Sequence, residues 1–175
     1  GMQLLALAHR QHDPAQLAPA HRILGETYFW VGELGAARAH LEQGIALYDA
    51  QQHRTHGFRY GHDTGASCLA FLGRVLWNLG YPDQALQRGC EALALAQELG
   101  HPFSLAWTLR QTMSIHQHRR EADEVLARAQ PVLTLATEQG FAQTVAAGTR
   151  DLGWALSVQG QVAGGIALLR QGDAA

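Results

Sequence analysis

Leu72-Gly73-Arg74-Val75-Leu76-Trp77-Asn78-Leu79-Gly80-Tyr81-Pro82-Asp83 holds the end of one helix, a turn and the start of the next. Leu72 and Leu76 recur at helical spacing, Gly80 is free to adopt the left-handed conformation that stops a helix, and Pro82 suits a first helical turn. The same punctuation returns at Leu24-Gly25 with Gly32 and at Leu152-Gly153 with Gly160, the lone glycine always seven residues beyond the paired one. Self-similarity of this kind marks stacked helical hairpins.

Reading outward from that stretch, a helix opens near Asp63, which with Thr64 is a candidate cap, and carries Leu69, Leu72, Gly73 and Leu76 on one stripe. Its partner presents Ala85, Gly89, Ala92, Leu93 and Ala96 until Gly100 ends it. The first hairpin begins at Asp13-Pro14, turns at Gly32 to Gly35 and continues through Ala37, Leu41, Gly44, Ile45 and Tyr48. A third starts at His101-Pro102, has Arg120 where a turn glycine would stand, and continues through Val125, Ala129, Val132, Leu133 and Ala136. The fourth carries Leu152, Gly153 and Leu156, then Gly165, Ile166 and Leu169. Four hairpins are therefore expected at about 13–52, 63–99, 102–139 and 141–171, followed by a tail at 173–175. Leu5-Ala6-Leu7-Ala8 matches Leu93-Ala94-Leu95-Ala96, so residues 2–11 read as the second helix of a hairpin whose first helix is missing. Gly1 before Met2 reads as a scar of tag cleavage, and the chain is expected to be a fragment of a longer protein.

Small residues fall where paired helices must approach: Gly25, Gly73 and Gly153 in first helices, Ala37 and Ala85 in second ones. Gly80 to Gly160 spans two repeats of 40 residues, and Gly32 to Gly80 is 48. Tetratricopeptide units run about 34 residues and HEAT-type units about 40–47. Leu24-Gly25 with Tyr28, Gly32 and Ala37 favours the tetratricopeptide plan with lengthened helices, although the usual early Trp and terminal Pro are missing. The fold class expected is all-α, a right-handed superhelix of antiparallel hairpins.

Composition agrees with an ordered domain: 175 residues, 47% hydrophobic and 16% charged. A formal charge of −2 argues against wholesale binding to nucleic acid or acidic membrane. All thirteen basic residues are Arg, each a planar forked donor suited to carboxylate or phosphate. Cys68 and Cys90 suggest neither a disulfide framework nor a zinc module. No apolar run reaches the length of a membrane span and no signal peptide opens the chain, so a cytoplasmic location is expected.

The assembled segments Ala20-His21-Arg22-Ile23-Leu24-Gly25, Tyr60-Gly61-His62-Asp63, Leu76 to Pro82, His101 to Ala106 and Gly153-Trp154-Ala155-Leu156 carry a resemblance covering nearly the whole chain. They resemble the C-terminal tetratricopeptide array of bacterial proteins that join a class III adenylate/guanylate cyclase domain to a regulatory ATPase domain. The resemblance implies a regulatory or interaction module. No Walker-type sequence, cofactor motif, nucleophile elbow or carboxylate pair is present, and Ser67 and Ser104 read as helix-surface residues.

First helices line the concave face of such arrays. Stations counted from the Leu-Gly glycines select Arg22, Glu26, Trp30, Arg74, Trp77, Asn78, Arg110, Ser114, Gln117, His118, Arg150 and Trp154 as candidate ligand or partner contacts. The arginines would offer a ladder of forked donors and the tryptophans flat apolar walls. The alternative is that the arginines pair with carboxylates of neighbouring helices and the tryptophans are partly core. His53, His56 and His62 are weak metal candidates, since their spacing fits no zinc module and Asp63 suits a cap. His116 and His118, two residues apart on a helix, do not share a face. The expected activity is binding of a peptide, or of the protein's own catalytic domains, with an anionic metabolite as the alternative ligand. The exposed start of the array is also a candidate surface for pairing with a second copy.

Overall fold

The computed structural model describes residues 2–11, 14–53 and 61–174, and all regular structure among them is helical. The helices are α1 (Met2–Gln11), α2 (Pro14–Trp30), α3 (Leu34–Ala46), α4 (Ala50–His53), α5 (Thr64–Asn78), α6 (Pro82–Leu99), α7 (Pro102–His118), α8 (Ala122–Glu138), α9 (Ala142–Val158) and α10 (Val162–Ala174). They fall into two compact units, residues 1–104 and 105–175.

The turns repeat one hydrogen-bond pattern. After α5, Gly80 N–H donates to the Trp77 carbonyl and Tyr81 N–H to that of Leu76. This pair satisfies carbonyls that a helix end leaves open and requires a left-handed residue between. The pattern recurs around Gly32, Gly140 and Gly160, whose φ angles are 86°, 72° and 88°. It recurs also at Arg120, with φ 59°. Arg120 therefore stands in the glycine's place and adopts the glycine's backbone.

In the first unit α2 packs with α3 and α5 with α6, while α3 and α2 both contact α5 and α1 lies on α2. Leu24, Ala37, Leu41, Cys68, Phe71, Leu72, Val75 and Ala85 are buried at these contacts. The close approaches are real. A Cβ built at Gly25 would lie 2.5 Å from Leu41 Cγ, and one at Gly44 would lie 2.7 Å from Cys68 Sγ. The short α4 lies within the expected first hairpin and carries no signal of its own in the repeat pattern.

In the second unit α8 packs on α9 and α9 on α10. Met113, Ile115, Val125, Ala129, Val132, Ala136 and Ala155 are among its buried apolar side chains. A Cβ at Gly153 would sit 2.7 Å from the Gly165 carbonyl oxygen, so α9 and α10 touch backbone to backbone. Ile166, expected to face inward, is 41% exposed. Gly165 takes the contact with α9: a Cβ built there would lie 2.5 Å from the Gly153 carbonyl oxygen. The last helix runs to Ala174 and takes in most of the expected tail, because Gly172 is buried against α9 and Asp173 bonds Arg150. Among the described residues no helix is long and apolar enough to cross a membrane.

Candidate functional site

The first unit holds a polar knot at the entrance to α5. Asp63 caps that helix, its Oδ1 accepting from Ala66 N–H at 2.8 Å, and Tyr48 Oη donates to Oδ2 at 2.9 Å. The Asp63 N–H donates to Ser104 Oγ at 2.8 Å, while Ser67 Oγ donates to the Asp63 carbonyl at 2.5 Å. His101 Nδ1 lies 2.8 Å from Ser104 Oγ. Ser67 and Ser104 are thus buried structural partners, not the surface residues expected from helical position. Their hydroxyls complete a cap that periodicity does not reveal.

Arg22 belongs to the same region. Although it occupies a first-helix station, it is buried, and its NH1 lies 2.7 Å from Glu26 Oε1 and 2.9 Å from His62 Nε2. Its Nε is buried with no partner. Burial raises the Glu26 pKa against the opposing pull of Arg22. His62 is pushed down to about 4, first by burial and then by the Arg22 and His101 charges, so it is neutral near pH 7. A neutral His62 accepting from Arg22 is a tether, and this bond ties the chain just before α5 to α2. The side chains of His53 and His56 lie outside the described residues. No group of three or more metal-ligating side chains occurs among the described ones.

Trp30 and Arg74 come together on a platform. The Arg74 guanidinium lies over the rings of Phe29, Trp30 and Phe71 at 4.6, 5.1 and 5.3 Å from their centroids. Phe29 meets Trp30 and Phe71 edge-on. Trp30 is 67% exposed and the following Val31 is 65% exposed. Trp77 is half-buried, and Asn78 donates to the Arg74 carbonyl at 2.8 Å. Phe71, which station counting did not select, is buried at the base of this platform.

In the second unit Gln117, Arg110 and Arg150 gather around Asp151, a residue that station counting passed over. Gln117 Nε2 donates to Asp151 Oδ1 at 2.9 Å. Burial raises the Asp151 pKa, against Gln117, Arg110 and Arg150. Arg150 reaches Asp173 Oδ1 at 3.3 Å. Ser114 donates back to the Gln111 carbonyl at 2.7 Å, the exposed His118 is bonded to the Ser114 carbonyl, and Trp154 is half-buried.

Comparison with known proteins places the fold. No family model matches the chain, and no curated protein is similar to it in sequence. Among solved structures, BtubC (BKLC) from P. vanneervenii is similar at a TM-score of 0.71 and 16% identity, over 92% of this chain and 63% of that one. A putative kinesin light chain with nearly identical TPR-like repeats, from Podosopora anserina, gives 0.66 and 16%, over 99% and 82%. The fold is a tetratricopeptide-like helical repeat. The chain spans under two thirds of the length of BtubC.

Proposed function

We propose that the chain is a non-catalytic interaction module that binds a peptide or protein segment on the first-helix faces of its hairpins. One observation carries the reading: a tryptophan 67% exposed and braced by Phe29 and by the Arg74 guanidinium. A rigid exposed aromatic beside a forked cation loses little entropy on binding and offers both apolar contact and hydrogen bonds. Asp63 and Ser104 of the polar knot are buried and used in holding the start of α5. The natural partners of a cyclase-type signalling protein would include its own catalytic domains, in the cytoplasm.

The test is a peptide array probed with the whole chain and with the double variant Trp30→Ala, Arg74→Ala. Captured peptides should bind the variant at least about tenfold more weakly, the size of one lost well-packed contact. The melting temperature should stay near that of the parent. Equal binding by both proteins, or stabilisation by anionic metabolites and by no peptide, refutes the reading.

A further inference from the structure

His21 and His40 stand 19 positions apart, one on each helix of the first hairpin, and meet across it. The close approach of α2 and α3 at Gly25 and Leu41 brings the neighbouring His40 into reach of α2. The two Nδ1 atoms are 3.0 Å apart, with ring centroids at 5.1 Å and ring planes tilted by 41°. The Tyr28 ring stacks on His40 at 5.4 Å and 11°, which limits how far that imidazole can turn. Both histidines are half-buried, so the pair reaches the surface. Two facing imidazole nitrogens share one hydrogen: one Nδ1 donates it and the other accepts.

We propose that His21 and His40 form a two-imidazole clamp for a divalent transition-metal ion, copper(II) before nickel(II) and zinc, each ring giving its Nδ1 lone pair. Bond lengths decide the class. With metal–nitrogen bonds of about 2.0–2.1 Å, nitrogens 3.0 Å apart subtend roughly 94° at the metal. A tetrahedral ion prefers about 109° and would spread the nitrogens to about 3.3 Å. A near-right angle is that of neighbouring positions in square or tetragonal coordination, the geometry of copper(II) and nickel(II). Imidazole suits both ions, and copper(II) binds such ligands most tightly of the divalent series. The ion takes the place of the shared hydrogen, which passes through solvent to Nε2 of the same ring, so neither imidazole changes charge. No third His, Cys, Asp or Glu joins the pair among the described residues, so water fills the remaining positions. A bound ion then ties α2 to α3 and remains exchangeable.

The experiment titrates the whole chain with copper(II), nickel(II) and zinc chlorides at about pH 8, where imidazole is neutral. Affinity is read by calorimetry and copper coordination by electron paramagnetic resonance. Copper(II) should bind tightest, with nitrogen splitting from two imidazoles. His21→Gln and His40→Gln should each weaken it by about tenfold or more and remove one nitrogen from the spectrum. The triple variant His53→Gln, His56→Gln, His118→Gln should bind as the parent does. Because loss of the fold would also lose the metal, the parent is examined by NMR as well. Substoichiometric copper(II) should broaden the resonances of His21, Tyr28 and His40 before others. Equal copper affinity in parent and single variants, broadening centred elsewhere, or zinc bound more tightly than copper overturns the proposal.

Discussion

Arg120 sits at φ 59° in a turn whose counterparts Gly32, Gly80 and Gly160 sit at 86°, 87° and 88°. A side chain in this region costs roughly 1–2 kcal/mol, part of which the freer unfolded state of glycine gives back on replacement. Arg120→Gly should therefore raise stability by about 0.5–1 kcal/mol in urea denaturation. No gain would mean the exposed Arg120 side chain supports the turn. His62 offers a test in pH. Its pKa falls from 6.5 to about 4 on folding, so the unfolded chain binds the proton more tightly. Its contribution is intact above pH 6.5 and is lost as pH falls through about 4. The raised Glu26 pKa works in the opposite direction, so the comparison has to be with His62→Gln. The stability gap between parent and variant should shift in the variant's favour between those limits, as read by denaturation at stepped pH.

Gly153 and Gly164 separate two uses of glycine within one hairpin. A Cβ at Gly153 would meet backbone at 2.7 Å, and one at Gly164 would meet nothing within 4 Å. Gly153→Ala should destabilise by about 1–3 kcal/mol through overpacking, and Ala85→Leu, at a fully buried crossing, by a similar amount. Gly164→Ala should instead stabilise by roughly 0.5–1 kcal/mol, since helix interiors favour alanine. Thermal melts of the three variants would check the signs. The helix stripes and turns were legible because each depends on residues within one or two turns of chain. Ala85, Gly89, Ala92 and Ala96 are buried where periodicity places them. What escaped was the last edge: α10 runs beyond Gly172, which is buried against α9, and Asp173 bonds Arg150.

Cys68 and Cys90 report on the molecule as a whole. Cys90 is exposed, whereas Cys68 is fully buried, with burial pushing its thiol pKa well above the ordinary value. Ellman's reagent should modify one thiol at once and the second only at the rate at which the first unit opens. Two fast thiols would mean that the packing around Gly44 and Cys68 is loose. At this scale the candidate site was legible in part. Station counting selected Trp30 and Arg74, which meet over Phe71, and Arg110, Gln117 and Arg150, which gather around Asp151. It also selected Arg22, which tertiary contacts turn inward to Glu26 and His62. The sequence by itself determined the helices, their turns and their small-residue crossings, since these follow from local periodicity, left-handed backbone and side-chain volume. Only the tertiary structure decided which arginine faces solvent, which carboxylate it meets and which serine is buried. Those outcomes depend on groups brought close from distant positions, and on burial, which sets what each charge costs.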